Sequence, residues 1–256
     1  MDAYLSRPSD STAAGPHPAI IVIHEAWGLN NQIKEVVRRY AGGGGGGFVA
    51  IAPNLFTRHS NLLTEKNIAS AMTPIFSIPR EKRNDPATIQ NLMEKMSETD
   101  RKVMDFFFSG REAFEKVMAN DLISCTHYIQ NLEFVIKERI GVTGFCLGGG
   151  LAYQISTMFP FSAVVSFYGA NPKPLEAVAK IAGPVLGIYA GEDDWVNSGV
   201  PAIVESMIKY KKTFEMKLYR GVQHAFLNET MPTYDKSAAE DAWQKALSFF
   251  NKYLRK

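Results

Sequence analysis

Short apolar runs rich in β-branched and aromatic residues recur along the chain, and segments with helical periodicity lie between them. The runs are AIIVIHEA, FVAIAPNL, RIGVTGF, SAVVSFYG, PVLGIYAG and FEMKLY. They are nearly continuous in hydrophobicity, which is typical of strands buried on both faces of a parallel sheet. Strands that alternate with helices predict right-handed crossovers, and therefore an α/β fold with a doubly wound, mostly parallel sheet flanked by helices.

The helical segments are predicted from apolar residues repeating every three to four positions. They are NNQIKEVVRRYA, DPATIQNLMEKMSETDRKVMDFFF, REAFEKVMANDLISCTHYIQNLEFVI, GGLAYQISTMF, GVPAIVESMIKYKK and TYDKSAAEDAWQKALSFFNKYLRK. No linker rich in Pro and Ser and no internal repeat divides the chain, so residues 1–256 are expected to form a single domain. Residues 57–100 have no clear period, and they fit a lid-like excursion and an ordinary surface connection equally well.

Composition argues against several classes of function. With 46% hydrophobic residues and a formal net charge of +2, nothing favours binding to nucleic acid or to an anionic membrane. No apolar run reaches the ~18 residues that a spanning helix needs, and the start MDAYLSRPSD predicts no secretory leader. Two cysteines, Cys125 and Cys146, make no disulfide framework and favour a reducing cytoplasm. The five histidines lack the spacing of a structural zinc site, so no metal is expected.

Six consecutive glycines, Gly42–Gly47, satisfy the dinucleotide-binding pattern G-x-G-x-x-G in a trivial sense. That pattern must follow a strand and open a helix, whereas this run closes a helical segment and precedes a strand. We interpret the run as a flexible connection. No nucleotide or other cofactor is expected.

The segment VTGFCLGGG places Cys146 between a predicted strand and a predicted helix. It fits G-x-C-x-G-G, the nucleophile elbow of α/β hydrolases with sulfur in place of the serine oxygen. Small residues on either side let the strand and helix approach closely, and the start of the helix favours negative charge on the thiol. The pattern favours a nucleophile over a structural, buried cysteine.

A base and an acid follow in the chain order of an α/β hydrolase. His224, in the turn RGVQHAF, is the only histidine after Cys146. The acid is expected at the end of the preceding strand, in YAGEDDWV, where Asp194 has the spacing G-x-x-D and Asp193 is the alternative. Its role is to orient the imidazole and stabilise its charged form.

These residues resemble the dienelactone hydrolase (carboxymethylenebutenolidase) family of α/β hydrolases. Besides the elbow, the segments that carry the resemblance are IVIHEAWGLN, FVAIAPNLFTR, YAGEDDWV and GVQHAF. The resemblance extends from AYLSRP to the final helix. A cysteine elbow combined with the early HEAWGLN is more specific than either segment alone.

The resemblance implies further roles. Glu25 matches a glutamate beside the resting thiol of Cys146, and the backbone N–H groups of Leu147 and Ala26 match the oxyanion hole. Arg58 matches an arginine that binds a substrate carboxylate, for which a guanidinium is well suited. On its own, Arg58 would be interpreted as a solvent-facing charge.

The chain departs from the family where a serine and a second arginine follow the histidine, because it has Ala225 and Asn228 instead. We expect Asn228 to contact the substrate by hydrogen bonds, with less support for strongly anionic substrates. Trp27 and Tyr168 are candidate walls of the substrate pocket. Further candidates for the walls are Trp195 and Phe226.

The sequence therefore predicts a cysteine-dependent hydrolase of small esters or lactones, some of them carboxylate-bearing, which works through an acyl-enzyme. The expected assembly is a monomer or a homodimer. Two alternatives remain: a non-catalytic binding protein with this fold, and a redox sensor in which Cys146 is oxidised and Cys125 resolves it.

Overall fold

The computed structural model describes residues 1–8, 15–42, 46–78, 82 and 85–255 of the chain. A seven-stranded sheet runs through this part, in the order β1-β3-β2-β4-β5-β6-β7. The strands are β1 (Ala3–Ser6), β2 (His17–Ile23), β3 (Val49–Pro53), β4 (Val135–Phe145), β5 (Ala163–Phe167), β6 (Val185–Ala190) and β7 (Phe214–Tyr219). Strand β1 is antiparallel to β3 and the other pairings are parallel. The predicted doubly wound sheet is confirmed.

Helices cover both faces of this sheet. They are α1 (Asn31–Ala41), α2 (Glu65–Phe76), α3 (Pro86–Lys95), α4 (Glu98–Phe107), α5 (Arg111–Gln130), α6 (Leu147–Ser156), α7 (Asp194–Asn197), α8 (Val200–Lys209) and α9 (Lys236–Leu254). Short 3-10 helices lie at Thr57–His59 and Leu175–Lys180. Helices α1 and α9 pack on one face, and α2, α4, α5, α6 and α8 pack on the other.

Strand β2 shows why the run of residues 19–23 is apolar at every position. Successive side chains of a strand point to opposite faces of the sheet. Ile20 and Val22 pack with α1 and α9, whereas Ile21 and Ile23 pack with the helices of the other face. All four are completely buried, so both faces of the strand need apolar side chains.

The connection between β3 and β4 is helical throughout much of its described length. Helix α2 was not expected, and α3 and α4 replace the one long helix predicted from DPATIQNL onward. The break falls at Ser97, whose hydroxyl accepts the backbone N–H of Asp100 at 3.1 Å. The Asp100 carboxylate accepts from Ser97 in return, which forms a capping box. The lid-like role of residues 57–100 stays a prediction.

The glycine run follows α1 and precedes β3, as predicted, so it does not open a helix. The N–H of Gly42 caps α1 by donating to the carbonyl of Arg38 at 2.7 Å. Gly43–Gly45 lie outside the described residues, and the expectation of a flexible connection falls partly on them. In the part of the chain that the structure describes, no helix is long and apolar enough to cross a bilayer.

Replacing Ser97 by Ala removes the N-cap of α4, and we expect a loss of about 1 kcal/mol in the free energy of unfolding. Urea denaturation at pH 7 measures this loss. The matched control is Ser124→Ala, an exposed position inside α5 where the hydroxyl bonds only to the carbonyl of Asn120. The control should change stability by less than about 0.5 kcal/mol. Equal effects of the two substitutions would contradict the capping role of Ser97.

Candidate active site

Cys146 lies at the junction of β4 and α6, as the elbow pattern predicts. Its backbone has φ +54° and ψ −114°, a conformation that side-chain-bearing residues rarely adopt. Its N–H donates to the carbonyl of Phe167 at the end of β5, at 3.0 Å. This bond fixes the elbow against the neighbouring strand and leaves the side chain half-buried at the carboxyl edge of the sheet.

Two glycines allow the elbow to form. A Cβ on Gly144 would lie 1.9 Å from the carbonyl oxygen of Gly148, so any side chain there would collide with the start of α6. A Cβ on Gly148 would lie 2.3 Å from the carbonyl oxygen of Ile23 and 2.6 Å from that of His24. The start of α6 therefore touches the end of β2, which brings Cys146 close to the loop that carries Glu25.

The imidazole of His224 is oriented by Asp193. Nδ1 of His224 forms a short hydrogen bond with Oδ2 of Asp193, whose side chain is only 7% exposed. Asp194, the favoured residue from the sequence, is the exposed first residue of α7. That expectation is corrected, because Asp193 precedes α7 as its N-cap and is the residue turned toward the histidine.

The His224 side chain also lies close to the side chain of Cys146, near enough for the charge of one to act on the other. Burial by itself would lower the pKa of His224. The charge that Cys146 carries once its thiol is ionised and the bond to Asp193 act in the opposite direction and raise the pKa well above its usual 6.5. An imidazolium formed when His224 takes the proton of Cys146 would therefore be stabilised by both Asp193 and the thiolate.

Glu25 is 3% exposed and is held by two neutral donors. The hydroxyl of Tyr168 donates to its Oε1 at 3.2 Å, and the amide of Asn228 donates to its Oε2 at 2.5 Å. Burial raises the pKa of Glu25, while these hydrogen bonds and the charge of His224 lower it in part. A buried carboxyl with two donors is stabilised without an ion pair.

Asn228 and Tyr168 are both buried beside Glu25. Asn228 is completely buried, and its carbonyl oxygen accepts the N–H and hydroxyl of Thr230 at 3.0 and 2.7 Å. Tyr168 is 1% exposed, and its ring packs 5.0 Å from that of His224. The Tyr168 hydroxyl and the Asn228 amide group are thus engaged with Glu25, and a contact of either residue with substrate stays a prediction.

His24 is a site residue that the sequence did not single out. It is completely buried, and its Nδ1 lies 2.7 Å from the carbonyl oxygen of Glu25. The N–H of Leu55 donates to its Nε2 at 3.1 Å. Burial lowers the pKa of His24 to about 4, although the bond to Glu25 opposes the change. The sequence feature that could have identified His24 as a site residue is its position directly before Glu25 in HEAW.

The ring of His24 also links the site to the helical connection after β3. Phe56 packs against it edge-to-face with ring centroids 4.7 Å apart. Phe56 in turn packs against Phe107 of α4 and Phe114 of α5, at 5.8 and 6.0 Å. The loop beginning at His24 and the helices α4 and α5 therefore share one aromatic cluster.

Arg58 already has a carboxylate partner. Its Nη2 and Nε lie 2.7 and 3.1 Å from the two carboxylate oxygens of Asp121 in α5, a bidentate pair. The arginine side chain is 63% exposed. A substrate carboxylate would have to compete with Asp121 for this guanidinium.

Leu147, Ala26 and Trp27 are the remaining predicted site residues. Leu147 is the first residue of α6, so its N–H has no acceptor within the helix. Ala26 and Trp27 follow Glu25, are half-buried and pack against the core. Both cysteines are free thiols. Cys125 is 4% exposed, and burial raises its pKa to about 12.

A comparison with known families matches residues 1–254 to the family model described as dienelactone hydrolase family. The chain belongs to the dienelactone hydrolase family. This confirms the resemblance inferred from the sequence, and the enzyme class of the family, carboxylic ester hydrolase, is that of the chain.

Two relatives and one solved structure are similar to this chain. A provisionally named carboxymethylenebutenolidase of Saccharolobus solfataricus is 44% identical over 250 residues, which covers 98% of this chain and 93% of the relative. The protein usf of Aquifex pyrophilus is 31% identical and covers 93% and 89%. A provisionally named dienelactone hydrolase of Klebsiella pneumoniae superposes with a TM-score of 0.71 at 24% identity, covering 98% and 92%. This last likeness concerns the fold.

The lowered pKa of His24 predicts an effect of pH on stability. Unfolding restores the ordinary pKa near 6.5, so the unfolded chain takes up a proton between pH 6.5 and about 4 that the folded chain does not. The contribution of His24 to the free energy of unfolding is therefore fully present above pH 6.5. It falls by about 3 kcal/mol as the pH drops to 4.

The measurement is the free energy of unfolding in urea at pH 7 and pH 4, for wild type and His24→Asn. Asparagine does not titrate, so the variant should lose about 3 kcal/mol less than wild type over this interval. The difference between the two proteins removes the contributions of other groups. Parallel pH dependences would contradict a neutral, buried His24.

Proposed function

We propose that this protein is a thiol-dependent hydrolase of small esters or lactones that works through an acyl-enzyme. The observation that carries the proposal is the position of His224, which is hydrogen-bonded to Asp193 and lies next to the side chain of Cys146 at the carboxyl edge of the sheet. A nucleophile, a base and an orienting acid in this order are the elements of acyl transfer. Family membership supports the same reaction class.

In the proposed reaction, Cys146 transfers its proton to His224, and the thiolate attacks the carbonyl carbon. The backbone N–H groups of Leu147 and Ala26 bind the resulting oxyanion. The imidazolium protonates the leaving alkoxide, which yields a thioester on Cys146. His224 then removes a proton from water, whose oxygen attacks the thioester and releases the acid and the thiolate. Asp193 keeps Nδ1 protonated and balances the imidazolium charge.

Glu25 has a separate part in the proposal. Its carboxyl is buried close enough to His224 for their charges to interact. It accepts hydrogen bonds from Tyr168 and Asn228. A carboxylate near the thiol disfavours a second negative charge, so Glu25 restrains thiolate formation until substrate is bound.

The two alternative functions have less support. A redox sensor needs a second accessible thiol, but Cys125 is buried in α5 with a pKa near 12 and is a poor resolving nucleophile. A non-catalytic binding protein would not need an acid against the base, yet Asp193 and His224 are bonded. A thiol nucleophile also has to stay reduced, which favours the proposed cytoplasmic location.

The first test is hydrolysis of p-nitrophenyl acetate and of a dienelactone by wild type, Cys146→Ala and His224→Ala. Wild type should turn over at least one substrate, Cys146→Ala should be inactive, and His224→Ala should lose about 10³-fold or more in kcat. A burst of p-nitrophenol equal to the enzyme concentration would report the acyl-enzyme. An inert wild type, or an active Cys146→Ala, would contradict the proposal.

Asp193 and Asp194 form a matched pair for the orienting acid. Asp193→Asn removes the acceptor of the Nδ1 proton and should lower kcat by about 10²- to 10⁴-fold, with little change in folding. Asp194→Asn changes the same charge at the neighbouring exposed position and should stay within about twofold of wild type. The reverse order of effects would restore Asp194 as the acid.

Arg58 is proposed to bind a substrate carboxylate only in competition with Asp121. In Asp121→Asn the guanidinium loses its charged partner, so kcat/KM for the anionic dienelactone should rise relative to that for p-nitrophenyl acetate. An exposed ion pair contributes up to about 1 kcal/mol, so the ratio should rise by up to about fivefold. The double variant Arg58→Ala/Asp121→Asn should lose this gain. An unchanged ratio would remove Arg58 from the substrate site.

A further inference from the structure

The ring of His24 donates one hydrogen bond and accepts another. The bond that it accepts shows which ring nitrogen carries the proton. The backbone N–H of Leu55 can only donate, so Nε2 of His24, 3.1 Å away, is the acceptor. The ring proton of the neutral imidazole is then on Nδ1. It points at the carbonyl oxygen of Glu25, 2.7 Å away, and is donated to it.

The carbonyl of Glu25 accepts a second bond, from the N–H of Gly28 at 3.1 Å. This carbonyl and the N–H of Ala26 belong to the same planar peptide, in which they point in opposite directions. Two donors on the oxygen therefore fix the direction of the Ala26 N–H. They also polarise the peptide, which strengthens that N–H as a donor.

The loop that carries this peptide lies against the elbow. The carbonyl oxygen of His24 is so close to Gly148 that a Cβ there would lie 2.6 Å from it. Gly148 is the second residue of α6, directly after Leu147. The loop that carries the Ala26 peptide therefore lies against the first turn of α6, which begins directly after Cys146.

We propose that His24 is a positioning residue, which holds the Glu25–Ala26 peptide so that the Ala26 N–H binds the oxyanion formed when Cys146 attacks. This inference rests on the proposed function. His24 does not act as a base, because both of its ring nitrogens are bonded to backbone groups and the ring is buried under Phe56.

Two substitutions separate the two bonds of the ring. The amide nitrogen of Asn matches the position of Nδ1, so His24→Asn keeps a donor to Glu25 and loses the acceptor for Leu55. The amide group of Gln reaches the position of Nε2, so His24→Gln keeps an acceptor for Leu55 and loses the donor to Glu25. His127→Gln, at an exposed position of α5, is the control for replacement of a histidine.

Two rates are measured for each protein. The first is acylation by p-nitrophenyl acetate, which forms an oxyanion. The second is alkylation of Cys146 by iodoacetamide, a displacement at a saturated carbon that forms none. We expect His24→Gln to lose about 10- to 100-fold in the acylation rate and kcat, with KM changed less. His24→Asn should lose no more than about threefold, and alkylation rates should match wild type in both.

Several results would overturn the inference. These are full acylation activity in His24→Gln, an equal loss in both variants, or a parallel loss of acylation and alkylation, which would indicate general damage. If His24→Gln does not fold, His24→Asn still decides, since a tenfold loss of acylation at a normal alkylation rate contradicts the inference. Failure of the proposed function is recognised separately, by an inert wild type or an active Cys146→Ala.

Discussion

Backbone-to-backbone contact around the elbow is the constraint on which the site depends. Strand β4, the start of α6 and the end of β2 approach one another more closely than any Cβ would permit at Gly144 or Gly148. Gly149 makes the same kind of approach to the end of β5, where a Cβ would lie 2.5 Å from the carbonyl oxygen of Phe167. These contacts place the thiol, the loop carrying Glu25 and the turn of Tyr168 within one small volume.

Much of the fold follows from local sequence patterns. The six apolar runs are strands, as their continuous hydrophobicity predicts for strands buried on both faces. The helices between them predict that these strands pair in parallel. The helical connection after β3 was harder to predict. Apolar periodicity continues across the boundary of α3 and α4, and only the reciprocal bonds of Ser97 and Asp100 end one helix and begin the next. Helix α2 contains Pro74, a residue that argues against a helix when the sequence is read alone.

The site divides in the same way. Cys146 and His224 are residues that chain order alone identifies, and the two side chains lie close together. Asp193 and Asp194 are adjacent in one turn, so spacing cannot show which carboxylate faces the ring; the capping geometry at α7 decides it. Asn228 was expected to contact the substrate because it stands where members of the resembled family have a second arginine. The turn between His224 and Asn228, with Ala225 at φ +62°, directs it inward to Glu25.

The aromatic cluster around Phe56 has a consequence for how enzymes of this architecture can diverge. Because the ring of Phe56 touches His24 on one side and Phe107 and Phe114 on the other, the helices α4 and α5 are not an independent appendage. A substitution that changes the volume of that cluster displaces the loop beside the nucleophile as well. Substitutions that accumulate in these helices therefore also affect the loop that carries Glu25. We expect substitutions at Phe56 to compensate for such changes in volume.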